Sequence, residues 1–416
     1  MSAVTVRSET ALRRRNQRFG LFSLLLGAVM LGVFAPGSGG TTARFIVDAT
    51  RDGIPPVQMS VRPTVVVLGV VVLGIAVYQL VKGFGERAVL ALGAATLLFV
   101  LAFLTWAAAD QSLSMIGLLR STLFAATPIA FGALAGVLCE RAGVINIAIE
   151  GQFLAAAFTG AVVGSVTSSS WIGLLGGIAA GVLVAAMLAG LSITFKADQI
   201  VTGVVLIVFA TGLTSFLTSQ VLAGSSGLNS PPRFGSWSIP VLSGIPVLGP
   251  LLFVATPLTF AMLIAVGWLQ YALFRTRWGL RVRSVGEKPR AADTVGIPVL
   301  PTRWKAVLLG GVVAGMGGAW FTLDSVGSFS REMTGGRGFI ALAAMLVGRY
   351  SPVGAFGAAL LFGFATALAS ALQLLDTGVP SSLLLTIPYL VTIFVVAGLI
   401  GRLRAPAADG QPYEKE

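Results

Sequence analysis

Along most of the chain, apolar residues come in runs of about twenty, separated by short stretches where arginine, glycine, proline and aspartate collect. Twelve such runs stand out, at 19–36, 63–81, 88–109, 118–138, 144–167, 171–195, 199–222, 249–274, 304–323, 337–350, 353–373 and 381–400. Most approach the ~20 helical residues needed to cross a ~30 Å hydrocarbon layer. The pattern predicts an all-α polytopic membrane protein with about twelve transmembrane segments. The run at 337–350 is too short for a simple crossing. It reads as half of a re-entrant pair with 353–373, a form tolerated where it is buried in protein or lines a cavity. The first run lacks a small-residue cleavage site and many spans follow it, so it is taken as a membrane helix and not as a secretory signal.

Composition supports this class. Of 416 residues 56% are hydrophobic and 11% charged, and mean hydropathy is +0.91; a soluble domain carries about 25% charged residues. The 52 glycines suit close helix approach in lipid. A net charge of +12 raises the question of nucleic acid, but the distribution answers it. With the Arg13, Arg14, Arg15 and Arg18 end placed in the cytoplasm, alternation leaves 21 of the 28 Lys and Arg residues inside and 7 outside. That is the positive-inside asymmetry. The basicity reports topology, both termini are expected in the cytoplasm, and no nucleic-acid partner is expected.

Histidine is absent and Cys139 is the single cysteine, which excludes imidazole chemistry, an internal disulfide and a multi-cysteine metal site. No Gly-x-x-x-x-Gly-Lys-Ser/Thr occurs, so any ATP chemistry must come from a partner. A membrane enzyme therefore finds no catalytic constellation and no metal site here.

Two stretches carry unusual polar residues. The first is "CERAGVINIAIEGQF" (139–153), where Glu140, Arg141, Asn146, Glu150 and Gln152 interrupt apolar sequence. Each such group costs several kcal/mol in hydrocarbon unless it is satisfied. Asn146 and Glu150, four residues apart, are expected on one helical face. Asn146, Glu150, Gln152 and Phe153 have two readings, as hydrogen-bonding and packing residues at a helix break or as the lining of a translocation path. The second stretch is the basic loop 275–305. Pro289 suits the first turn of a short helix and Gly296 the left-handed position that ends it, with small Ala291 and Ala292 between them. Elsewhere, Asp198 and Gln199 are expected to cap a helix start, and 37–62 and 223–248 are expected external loops.

"ERAGVINIAIEGQFLAAAFTGA", "KADQIVTGVVL", "RTRWGLRVRSVGEKPRAADTVGI" and "GRGFIALAAMLVGRYSPVGA" follow in that order. Together they resemble the permease subunits of ATP-binding-cassette importers of the branched-chain amino acid, ribose and nucleoside superfamily, and among these the bacterial nucleoside permeases. The likeness divides the chain into an N-terminal extension of about three helices (1–110), a permease core (115–400) with coupling loop 275–305, and a tail (401–416). It implies that Gly286, Glu287, Pro289, Ala291, Ala292, Asp293 and Gly296 form the coupling helix against a cytoplasmic ATPase. It further implies a second homologous permease, an extracytoplasmic substrate-binding lipoprotein, a bacterial plasma-membrane location, and no cofactor on this chain, ATP and Mg²⁺ belonging to the ATPase. Sugar or branched-chain amino acid uptake is the alternative within the superfamily. An ion-driven carrier working through Glu150 is the alternative outside it.

Overall fold

The computed structural model describes residues 3–37, 40–47, 55–375, 381–384, 386, 388–389 and 404–414. The chain divides into two compact units, Met1–Gly117 with Ala371–Val379, and Leu118–Ser370 with Pro380–Glu416.

In the first unit α1 (Ala3–Val29), α2 (Val61–Val81) and α3 (Ala88–Ala107) pack together. Glycine allows the α1–α2 approach: a Cβ on Gly27 would lie 2.6 Å from the Leu73 side chain, and one on Gly69 would lie 2.8 Å from Leu31. Phe34 stacks on Trp106 at 5.0 Å between ring centroids. The expected external loop 37–62 carries strands instead. β1 (Thr42–Ile46) pairs antiparallel with β2 (Val57–Ser60), Thr42 opposite Ser60, and parallel with β3 (Ser112–Ser114), Arg44 opposite Ser112. Alternation explains β1, since Ala43 and Phe45 are buried between exposed neighbours.

The second unit holds α4 (Met115–Arg141, whose first three residues belong to the first unit), α5 (Ile149–Thr167), α6 (Ser170–Ala189) and α7 (Gln199–Leu217). A short α8 (Leu248–Leu252) precedes α9 (Pro257–Arg275), α10 (Arg277–Glu287), α11 (Pro289–Thr294) and α12 (Val299–Trp320). α13 (Arg337–Val347), α14 (Pro352–Leu374) and α15 (Ser381–Leu384) complete the helices. α6, α7 and α12 each end in a π-helical turn, at Gly190–Thr194, Thr218–Leu222 and Phe321–Val326.

Ten helices are long and apolar enough to cross a membrane, by length and composition, among the described residues. α13 is shorter, and its 11 residues cover about 16 Å, half a bilayer core. The span expected at 381–400 lies outside the described residues except for α15 and a few neighbours. Two helices start five or more residues later than expected. The span expected from 144 begins at Ile149, and the one expected from 249 begins at Pro257, after β4 (Trp237–Ser238) pairs with β5 (Val254–Ala255). Apolar composition continues through both irregular stretches, and hydropathy alone does not separate them from the helices.

Glycine contacts organise the centre of this unit. Gly173, Gly177 and Gly181 recur every four residues along one stripe of α6. A Cβ on Gly173 would lie 2.8 Å from the Gly160 carbonyl of α5, and one on Gly181 would lie 2.6 Å from the Gly311 carbonyl of α12. Likewise a Cβ on Gly315 would sit 2.6 Å from Ile178 Cα, and one on Gly318 would sit 2.6 Å from the Phe153 carbonyl. Backbone lies on backbone at each place, the arrangement that small residues permit between membrane helices.

Candidate functional site

α4 runs to Arg141, and residues 142–148 then fold back, with Gly143 at φ +82°. Ile149, the first residue of α5, reaches both Gly132 and Gly136 of α4. α5 therefore begins about 8 to 14 Å back along α4 from that helix's end. α13 also starts inside the bundle. Ala341 lies against Gly132 and Met345 against Gly136, and Arg141 Nε donates to the Tyr350 carbonyl at 2.8 Å. Two helix N-termini are thus buried at similar depth, each leaving N–H groups without intrahelical acceptors.

Glu150 serves the N-terminus of α13. Its Oε1 accepts from Thr334 Oγ1 at 2.6 Å and from the Gly336 N–H at 2.8 Å, and its Oε2 accepts from the Gly338 N–H at 2.6 Å. The side chain is buried and sits where the helix dipole favours a negative charge. Gly338 permits the approach, since a Cβ there would lie 2.6 Å from Glu150 Cα. Gly336, at φ +77°, turns the chain into the helix.

Asn146 is fully buried in the 142–148 segment, one turn before α5 begins. The expectation that Asn146 and Glu150 share a helical face is corrected, because the helix has not started at 146. Asn146 Nδ2 donates to Gln152 Oε1 at 3.3 Å and to Cys139 Sγ at 3.6 Å, whereas Glu150 turns to 334–338. Asn146 Oδ1 and Gln152 Nε2 have no hydrogen-bond partner among the described residues. Gln199 steadies the same segment, accepting from the Ile145 N–H at 2.7 Å. Asp198 caps α7 as expected, accepting from Ile200 and Val201 N–H groups at 2.9 Å. Phe153 is fully buried against Gly132, Gly317 and Phe321, with 5.8 Å between the Phe153 and Phe321 ring centroids.

The 275–305 loop folds as two short helices at an elbow. Thr276 caps α10, accepting from the Gly279 N–H at 3.2 Å. Val282 and Val285 are buried beneath it, and a Cβ on Gly286 would collide with the Arg141 carbonyl. Pro289 opens α11 and Gly296, at φ +81°, closes it, as the sequence predicts. The elbow's candidate residues divide by exposure. Glu287, Ala291 and Gly296 face outward, Pro289 and Asp293 are half-buried, and Gly286 and Ala292 point inward. Exposed Val295, 74% accessible, extends this outer face and was not singled out by sequence. Its signal was a lone apolar residue between a polar helix and a terminating glycine.

Residues 404–414 run beneath this elbow, and sequence reading missed their role. Asp409 hydrogen-bonds Glu140, and burial pushes the Asp409 carboxyl up to about 6 against the opposing pull of that bond and of Arg303. Nothing in the tail's composition announces this contact.

The family model described as "Branched-chain amino acid transport system / permease component" matches residues 118–396. The chain is 40% identical to the nucleoside ABC transporter permease protein NupC of Lactococcus lactis over 72% of its length and 96% of that protein's. It is also 40% identical to the guanosine ABC transporter permease protein NupQ of Bacillus subtilis, over 73% of its length and 98% of the relative's. The putative glucose ABC transporter permease protein TsgC13 of Haloferax volcanii is 34% identical over 72% and 98% of the two chains. No solved structure matches.

Proposed function

Because the chain belongs to the permease-component family of branched-chain amino acid transport systems, we propose that it is a membrane subunit of an ATP-driven nucleoside importer of the bacterial plasma membrane. The observation that carries the substrate class is the 40% identity to a nucleoside and a guanosine permease across nearly their whole lengths. A second homologous permease completes the path, and an extracytoplasmic binding protein delivers the nucleoside. A separate cytoplasmic ATPase binds and hydrolyses ATP with Mg²⁺. Both termini lie on the cytoplasmic side, in keeping with the basic residues there.

In this reading the elbow meets the ATPase. Exposed Ala291 and Gly296 allow close packing, Val295 adds an apolar contact, and the arginines of α10 face acidic partners on the rim. Movement of α11 passes into α12, which starts five residues after α11 ends. The energetic requirement is that the contact favours one permease conformation over the other. Asn146, Glu150, Gln152 and Phe153 hold the two internal helix starts beside the path. The three donors on Glu150 support that supporting role over ion coupling.

Labelled uridine, adenosine, glucose and leucine uptake in cells with and without this chain tests the substrate, repeated with the ATPase's catalytic glutamate replaced. Nucleoside uptake lost in both backgrounds is expected. Loss of glucose uptake alone would move the substrate to a sugar, a reading that likeness to the putative glucose permease favours.

A further inference from the structure

Residues 404–414 form a strap with seven attachments in the second unit. The Ala407 N–H donates to Glu287 Oε2 at 3.3 Å and the Ala408 N–H to the Gly286 carbonyl at 2.9 Å, pinning the end of α10. Asp409 hydrogen-bonds Glu140 at the end of α4, and Gly410 lies over Ile145. The Gln411 carbonyl accepts from Arg303 Nη1 of α12 at 2.8 Å. Tyr413, 8% exposed, packs in a small cluster with Val285, Val299 and Ala292 of α11. Glu414 pairs with Lys196 beyond α6 at 2.6 Å.

Two observations separate this strap from a loosely laid tail. Arg303 is 1% exposed, and its one direct hydrogen bond among the described residues goes to the strap; its Nε and Nη2 have none. A guanidinium in such a place is costly unless a partner covers it. α11 has six residues, too few to hold a helix alone, and Tyr413 is one of three residues that share Ala292's buried cluster.

We propose that the strap is a positioning element for energy coupling. It fixes α11 to the ends of α4, α10 and α12, so that a displacement imposed on α11 moves these helices together. Tyr413, Arg303 and Asp409 act as positioning residues through α11. The inference rests on the elbow being the ATPase contact.

The test is ATP hydrolysed per nucleoside imported by the complete transporter, with its ATPase and binding protein, in proteoliposomes. Tyr413→Ala should raise that ratio several-fold while ATPase turnover and assembly persist, and Tyr413→Phe, which keeps the ring, should raise it less. Glu414→Lys should raise it less, because the pair is exposed, and Lys196→Glu with Glu414→Lys should restore it. An unchanged ratio in Tyr413→Ala at equal permease abundance overturns the proposal. If that variant does not assemble, equal ratios in Glu414→Lys and wild type overturn it. Ala291→Trp in the same preparation separates the two readings. If Ala291→Trp transports normally, the elbow reading falls and the strap with it. If Ala291→Trp is defective and Tyr413→Ala is not, the strap alone falls.

Discussion

Replacing Glu150 with glutamine keeps size and shape and alters only what the side chain can accept. The carboxylate now takes two donors on Oε1, Thr334 Oγ1 and the Gly336 N–H, and one on Oε2, the Gly338 N–H. An amide has one accepting oxygen. If it faces Gly338, Nε2 can donate to a rotated Thr334 hydroxyl, but the Gly336 N–H is orphaned. If it faces Thr334 and Gly336, the Gly338 N–H is orphaned. Either way one backbone donor loses its acceptor, at about 1–3 kcal/mol, and the remaining bonds lose their charge assistance. We expect a loss of roughly 2–4 kcal/mol, read from reversible unfolding in mixed micelles titrated with denaturing detergent. Thr334→Val combined with Glu150→Gln should cost less than the sum of the two alone, because they share one network. Uptake per folded permease should fall only as far as α13 is displaced. Stability within about 0.5 kcal/mol of wild type, with uptake abolished, would refute this reasoning and put the carboxylate in the path itself.

Ala291→Leu should impair ATPase coupling without destabilising the permease, whereas Ala292→Leu should overpack its own cluster and cost about 1–3 kcal/mol; thermal unfolding of the two proteins distinguishes them. Gly181→Ala should force α6 from α12 and lower the unfolding midpoint, while Gly212→Ala, with nothing within 4 Å of its added methyl, should be near neutral. Docking of the strap should also depend on pH. Asp409 binds its proton more tightly when docked, near 6, than when free, near about 4. Docking is thus strongest below about 4 and weakens as pH rises through 6. Around this carboxyl stand Glu140 and Cys139 of α4, Arg303 of α12 and Tyr350. Protease cleavage within 404–414 should be slower at pH 5 than at pH 7.5, and Asp409→Asn should flatten the difference; a flat profile in the native chain would count against it.

Much of this fold was legible because lipid leaves the chain few choices. The ten long helices follow from runs of apolar residues, and α11 follows from Pro289 and Gly296 at its two ends. The helix starts were harder. Valine and isoleucine at 144–149 keep the hydropathy high across a segment that is not helical, so Asn146 was assigned a helical neighbour it does not have. The partners of Glu150 lie about 185 positions away in sequence, and no local pattern pairs a carboxylate with the N–H groups of Gly336 and Gly338. The strap was invisible for the same reason. Eleven mostly polar and small residues after the last apolar run look like solvent-exposed tail until their contacts with α10 and Arg303 are seen.

The glycine crossings of α5, α6 and α12 bear on how such a molecule could change shape. Side chains that interdigitate can trade one notch for the next in small steps, but a carbonyl resting on a glycine Cα finds its next notch about 6 Å away, four residues along the stripe. Rotating α6 against α12 by a single residue, about 100°, would bring Ile178 or Val182 where Gly177 or Gly181 now passes, and a branched side chain does not fit within 3 Å of a backbone. Small shifts between these three helices are thereby opposed, and they are expected to travel together as one solid keel. Whatever opens to either side of the membrane is then expected to part along seams that side chains line.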